Sequence, residues 1–286
     1  FHINGSGICG QQQERTADHI QVHMGKAIRA AVHSAGYDGV PGALTPSIVT
    51  PGGLFGPSTG PLLSPQHAAE FATANGKLIH TLPVRHDIQM VLKHLCTKTA
   101  APTTSDELMQ QQMYRFLKSH PDRGPCFSLK KEHYPDGVVL HGSSDASHAT
   151  HTETGYGHSA YTISVGKGNG VMVAYSGPET NTVSLSPHGA EYMAGGRFAR
   201  AMLYYRQFAE GLGYPQTEPT KWYTDSETSI SLTSAPAVSR NSRHIEQYAH
   251  LLRHLYKAKE IDPRHLGTHE IIPNGLTKTL GPTDYI

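Results

Sequence analysis

Val138-Val-Leu-His-Gly-Ser-Ser-Asp145 opens apolar, turns small and polar, and stops on a carboxylate, so it reads as a strand with a chemically useful end. Downstream, Tyr156 to Val165 and Val171 to Tyr175 read as two more strands, with the glycine-rich turn Gly166 to Gly170 between them fit for a hairpin. A short run at Val183-Ser-Leu-Ser leads to Pro187. An amphipathic helix follows, with Ala194, Phe198, Ala201, Tyr205, Phe208 and Leu212 alternately four and three apart, and Gly213 closes it. Thr220 to Asp225 reads as a strand and Glu227 to Thr233 as a short helix. Asn241 to Lys257 reads as a helix buried through Ile245, Tyr248, Leu252 and Leu255. Glu260 to Glu270 fits a last strand, and Pro273 opens a final helix at its favoured first position. Three strands, then helices alternating with strands, suit an α/β fold: a mixed sheet with helices packed on its faces.

Upstream of Tyr134-Pro-Asp-Gly137 the character is different. Phe1 to Gly7 fits the end of a strand or hairpin, and a helical period starts at Asp18 with Ile20, Met24, Ile28 and Ala31 on one face, ending at Gly36. Residues 41–65 are rich in proline and glycine and read as a long connection. Helical patterning returns from Gln66 to about Leu82, at Ile88, Val91, Leu92 and Leu95, and from Ser105 to Lys118, with Ser105 read as the N-terminal cap. Residues 1–136 are thus expected to form a mainly helical region, and 137–286 the α/β domain.

Composition narrows the function classes. The chain has 286 residues, enough for one large domain or two smaller ones, and its net charge is only +1, which argues against tight, purely charge-driven nucleic-acid binding. Cys9, Cys96 and Cys126 are odd in number and far apart, forming neither a disulfide framework nor a zinc spacing, so a reducing intracellular compartment is expected, cytoplasmic or nuclear. No apolar run approaches the roughly 18 residues of a membrane span. The chain starts at Phe1 without a start methionine or signal-peptide pattern, and the expectation is a piece of something longer.

Three carboxylates fall where such a sheet brings side chains together. Asp145 ends the first strand, Glu191 is expected in the first turn of the long helix, and Asp225 ends the fourth strand. Oxygen ligands without a nearby cysteine select Mg²⁺ or Mn²⁺ over zinc, and two such ions can activate water and stabilise the leaving oxygen of a phosphodiester. Spacing alone leaves a second reading open, in which Asp145 and Asp225 cap turns and Glu191 complements a helix N-terminus.

The blocks around these residues carry a resemblance. Ser144-Asp-Ala-Ser147, Ala190-Glu-Tyr-Met-Ala194, Tyr223-Thr-Asp-Ser-Glu-Thr-Ser-Ile-Ser-Leu232, Ser239-Arg-Asn-Ser-Arg-His-Ile245 and Leu276-Thr-Lys-Thr-Leu280 closely resemble, in order and spacing, the ribonuclease H domain that ends the Pol polyprotein of copia-type retrotransposons. More loosely, Gly76-Lys-Leu-Ile-His-Thr-Leu-Pro-Val-Arg-His-Asp-Ile88, Met113-Tyr-Arg-Phe-Leu-Lys118 and the Thr-Pro-containing stretch Ala43 to Pro51 look like the end of the family's reverse transcriptase. The resemblance implies a ribonuclease H-like mixed five-stranded sheet with flanking helices, preceded by a reverse-transcriptase thumb and connection, without the polymerase's paired aspartates.

It also implies an endonuclease that uses Mg²⁺ or Mn²⁺, two ions, to cut the RNA strand of RNA/DNA hybrids, alongside upstream reverse-transcriptase and integrase parts. Asp145, Glu191 and Asp225 match the metal-holding positions, His265 and His269 lie where related nucleases carry a mobile histidine, and Arg240, Arg243 and His244 are candidate contacts to the nucleic acid. One departure stands out: the family's last carboxylate is Asn274 here, an oxygen donor without charge that weakens the second ion. Asn274, the near-neutral charge, the missing polymerase core and Ser226, where the family more often has Asn, favour an alternative: a degenerate or domesticated remnant serving as a structural subunit in a protein assembly. Retention of three mutually repelling carboxylates argues for the enzyme.

Overall fold

The computed structural model describes residues 8–49, 56–148, 156–167, 170–179, 184, 186–235 and 246–280. The expected strand or hairpin at Phe1 to Gly7, the tip of the Gly166–Gly170 turn, Val183 and the block carrying Arg240, Arg243 and His244 lie outside these residues. The chain divides into two compact units. One runs to Leu129 and includes the last described residues from Lys278; the other is Lys130–Thr277.

The first unit is mainly helical. Its helices are α1 (Gly25–Ser34), α2 (Pro65–Ile79), α3 (Gln89–Thr97) and α4 (Thr104–Ser119). Ile28, Phe71, Leu78, Leu92, Leu95, Met113 and Phe116 from these helices pack into one core. Ser64 caps α2, accepting from the His67 backbone N–H, with Pro65 in the first helical position. The cap of α4 is Thr103, not Ser105: it forms a capping box with Asp106, whose carboxylate takes the Thr103 N–H at 2.8 Å.

A small antiparallel sheet was not expected from the sequence. It comprises β1 (Gln12–Arg15), β2 (His19–His23) and β3 (Cys126–Ser128), in that order. The helical start read at Asp18 is therefore a strand, and α1 begins only at Gly25. Ile20, Val22 and Met24 are also two apart, the period of a strand, and pairing on both edges of β2 decides for that period. The Arg85–Asp87 motif is an ion pair within this unit. The fully buried Arg85 donates Nε to Asp87 Oδ1 at 2.9 Å and Nη2 to Oδ2 at 2.8 Å, and its Nη1 donates to the His120 carbonyl. Burial alone would raise the Asp87 carboxyl, but attraction and hydrogen bonds from Arg85, with Arg123 beyond, hold it below its ordinary value.

The second unit has a five-stranded sheet of β4 (Leu140–Ser147), β5 (His158–Val165), β6 (Val171–Pro178), β7 (Thr220–Thr224) and β8 (Ile261–His265). Their spatial order is β6-β5-β4-β7-β8. The first three strands pair antiparallel, while β4–β7 and β7–β8 are parallel. With α5 (Pro187–Gly211), α6 (Glu227–Ser234), α7 (Glu246–Lys257) and the single turn α8 (Asn274–Thr277), this is the ribonuclease H-like architecture. The last strand is shorter than the expected Glu260–Glu270, and Pro263 is tolerated because β8 is an edge strand.

Alternation along β4 sorts its two faces. Leu140, Gly142, Ser144 and Ala146 form one set. Leu140 joins the core of Phe198, Met202, Trp222, Leu252 and Ile261, and Ala146 packs with Ala190 and Ala194 of α5. Gly142 is required by close approach: a Cβ there would stand 2.2 Å from the Thr162 carbonyl oxygen and 2.5 Å from the Phe198 ring. The buried stripe of α5 departs from the one expected. It keeps Ala194 and Phe198 but continues through Met202 and Ala209, leaving Phe208 54% and Leu212 61% exposed. A strict four-three spacing averages 3.5 residues per turn and drifts around a 3.6-residue helix, so its far end rotates off the sheet.

Candidate active site

Asp145 and Asp225 meet because β4 and β7 are parallel neighbours. Ser143 pairs with Tyr223, and two more residues along each strand bring Asp145 level with Asp225, just past the end of β7. Asp145 is itself within β4, two residues short of its end. Glu191 comes from α5, which starts at Pro187 after the Ser186 cap, so it lies in the second helical turn and not the first. That extra turn carries it past the N-terminus to the strand ends, where its Oε1 accepts the Ala146 backbone N–H at 3.2 Å.

Ligand oxygens of Asp145, Glu191 and Asp225 all lie within 4.8 Å of one another. Asp145 is buried at 1% exposure, and Glu191 and Asp225 are half-buried. Two hydroxyls meet the aspartates: Thr268 Oγ1 donates to Asp225 Oδ2 at 2.7 Å, and Thr277 Oγ1 donates to Asp145 Oδ2. These donors carry no net charge, so they leave the repulsion among the carboxylates in place. At 4.8 Å and an effective dielectric of about 20, that repulsion is roughly 3 kcal/mol per pair. A divalent cation relieves all three pairs at once, and the hard oxygen donor set suits Mg²⁺ or Mn²⁺. A further buried oxygen, Asn274 Oδ1, has no hydrogen-bond partner and sits one helical turn before Thr277. The residues present therefore fit a divalent metal ion.

Among the described residues, no histidine joins this group. His265 is exposed at the end of β8, paired in register with Thr224 next to Asp225, and His269 is exposed beside Thr268. Ser226 is a helix cap: its Oγ accepts the Ser229 N–H at 3.2 Å at the start of α6. Asn and Ser are both good N-caps, so the departure from Asn keeps the local structure behind Asp225. His148 places Nε2 2.9 Å from the Ser184 carbonyl. Two contributors were not singled out by sequence reasoning. Thr277 stood inside a recognised block without a role, and Thr268 stood in a segment read as strand.

No family model matches the chain. The Pol polyprotein of transposon RE2 of Arabidopsis thaliana is 23% identical over 211 residues, 74% of this chain and 14% of that protein. The corresponding polyprotein of transposon RE1 is 24% identical over 216 residues, 76% of this chain and 14% of that protein. The chain thus spans about a seventh of the length of the curated relatives it matches. LC11-RNase H1 in complex with an RNA/DNA hybrid overlays 49% of this chain and 93% of its own with a TM-score of 0.36 at 13% identity. On its motif blocks, its sheet topology and its similarity to these two polyproteins, the chain resembles the Pol polyproteins of copia-type retrotransposons.

Proposed function

We propose that the second unit is a metal-dependent endonuclease that cuts the RNA strand of RNA/DNA hybrids, as part of a retrotransposon Pol polyprotein. The observation that carries this reading is the convergence of Asp145, Glu191 and Asp225 at one end of a ribonuclease H-like sheet. Bound there, Mg²⁺ or Mn²⁺ would supply Lewis acidity at the phosphodiester and lower the pKa of water. Asp145 and Asp225 hold that charge from adjacent strands. Glu191, fixed at one oxygen by the Ala146 N–H, orients the attacking water from the helix side. Asn274 offers a neutral oxygen where the family has a carboxylate, so a second ion is held more weakly. His265 and His269, exposed beside the site, serve product release, and Arg240, Arg243 and His244 contact the nucleic-acid backbone. A hybrid is read by its shape and 2′-hydroxyls. Residues 1–136 are the thumb and connection of a reverse transcriptase, and the protein acts inside the cell beside the other Pol parts.

Asn274 also supports a second reading, a degenerate remnant that keeps the fold as a structural subunit. Cleavage of a labelled RNA/DNA hybrid with Mg²⁺ or Mn²⁺ separates the two. The enzyme reading expects cutting by the wild type, its loss in Asp145→Asn and a gain in Asn274→Asp. No cutting by the wild type or by Asn274→Asp in either metal leaves the structural reading.

A further inference from the structure

Both aspartates of the site are met by a threonine hydroxyl, and both threonines follow the last strand. Thr268 donates to Asp225 Oδ2 at 2.7 Å, and Thr277 donates to Asp145 Oδ2. An aspartate carboxylate turns about a broad, soft terminal torsion, so its oxygens are not aimed by the backbone alone. A fixed hydroxyl on one oxygen selects one orientation of the carboxylate plane. It does so without the positive charge that a lysine or arginine would set against an incoming cation.

The Thr277 hydroxyl is itself well anchored. Ser147 Oγ, on the same face of β4 as Asp145, donates to the Thr277 carbonyl at 3.0 Å. Ser176 Oγ of β6 donates to the Leu276 carbonyl at 2.6 Å, so two serines from the sheet staple α8 in place. Thr277 is fully buried, and threonine is stiff at χ1. On the other side, the Leu266 N–H donates to the Thr224 carbonyl at 3.1 Å, tying the segment before Thr268 to the end of β7, next to Asp225.

We propose that Thr268 and Thr277 are positioning residues that aim Asp225 and Asp145 at a shared divalent cation. The inference deepens the nuclease reading and rests on it only for the identity of the ion. Its test is calorimetric titration of the full chain with Mn²⁺ alone, which needs no cleavage. Thr268→Val and Thr277→Val keep the shape and remove the hydroxyl, while Thr268→Ser and Thr277→Ser keep the hydroxyl. Each valine variant is expected to bind Mn²⁺ roughly 10–100-fold more weakly, the usual effect of removing a group that orients a ligand, and each serine variant to recover most of the affinity.

Thr268 is exposed, so its valine variant decides the matter even if Thr277→Val fails to fold. Valine variants that bind Mn²⁺ as tightly as the wild type overturn the proposal, as does a wild type with no measurable Mn²⁺ binding. Weakened binding in the valine variants of a protein that cuts no hybrid supports the positioning role and removes only the nuclease reading.

Discussion

Ser144 stands next to Asp145 in the same sequence block, yet the structure gives it a role in the core, and Ser144→Ala tests that assignment. Trp222, the only tryptophan in the chain, is fully buried, and its indole N–H donates to Ser144 Oγ at 2.9 Å, with Ser144 also at 0% exposure. Alanine removes the acceptor and leaves a buried donor orphaned, a desolvation penalty of about 1–3 kcal/mol. Complete burial of both groups keeps water from replacing the lost oxygen, so about 2 kcal/mol is expected. With a urea dependence of about 2 kcal/mol per molar, the unfolding midpoint falls by about 1 M. Trp222 fluorescence is the natural probe, because the residue at risk reports on the second unit directly. Asp145 points from the opposite face of β4, so Mn²⁺ binding should be unchanged. A midpoint within 0.2 M of wild type, about 0.4 kcal/mol on the same slope, would refute the claim that this hydrogen bond is sealed in the core.

Asp87→Asn breaks the buried pair with Arg85 and should destabilise the first unit by about 3–5 kcal/mol, read from the loss of helical circular dichroism. The Asp87 carboxyl is held below its ordinary value of 3.8, so its stabilising contribution is complete above that pH and is lost as pH falls through the lower folded value. Acid titration of stability should therefore be shallower in Asp87→Asn, and an unchanged acid limb would contradict the pairing. Gly142→Ala sets a Cβ 2.2 Å from a backbone oxygen of β5 and should destabilise the second unit by about 3 kcal/mol in thermal unfolding. Adding Phe198→Leu should not restore it, because the carbonyl obstacle remains; full recovery would show that the ring alone sets the limit.

How far the sequence could be read depended on whether a signal was local. Asp145 and Asp225 each close a short apolar strand pattern, and parallel pairing of those strands was enough to bring them level. The sheet of the first unit escaped because β2 pairs with β3, more than a hundred residues later, and nothing in the Asp18–Met24 stretch separates period two from period four. Thr268 was hidden by the shortness of β8: the residues after His265 leave the ladder, and only tertiary placement turns that hydroxyl toward Asp225. On α5 the small residues Ala190, Ala194 and Gly195 carry the tight packing against the sheet and Trp222, a role that hydrophobic periodicity undervalues. Arg85 and Asp87 were visible as a motif, but their burial as a pair was not.

The hydroxyl on Asp145 comes from a residue 132 positions further along the chain. During synthesis, β4 is made long before the segment that completes its surroundings, and the parallel β4–β7 and β7–β8 pairings must also wait for distant partners. A product cut short after His265 would carry all five strands and all three acidic residues. It would keep Ser147 and Ser176 but lack α8 and the two carbonyls to which they donate. Such a chain would have the strand content of a complete sheet without the Thr277 hydroxyl that meets Asp145 in the folded protein.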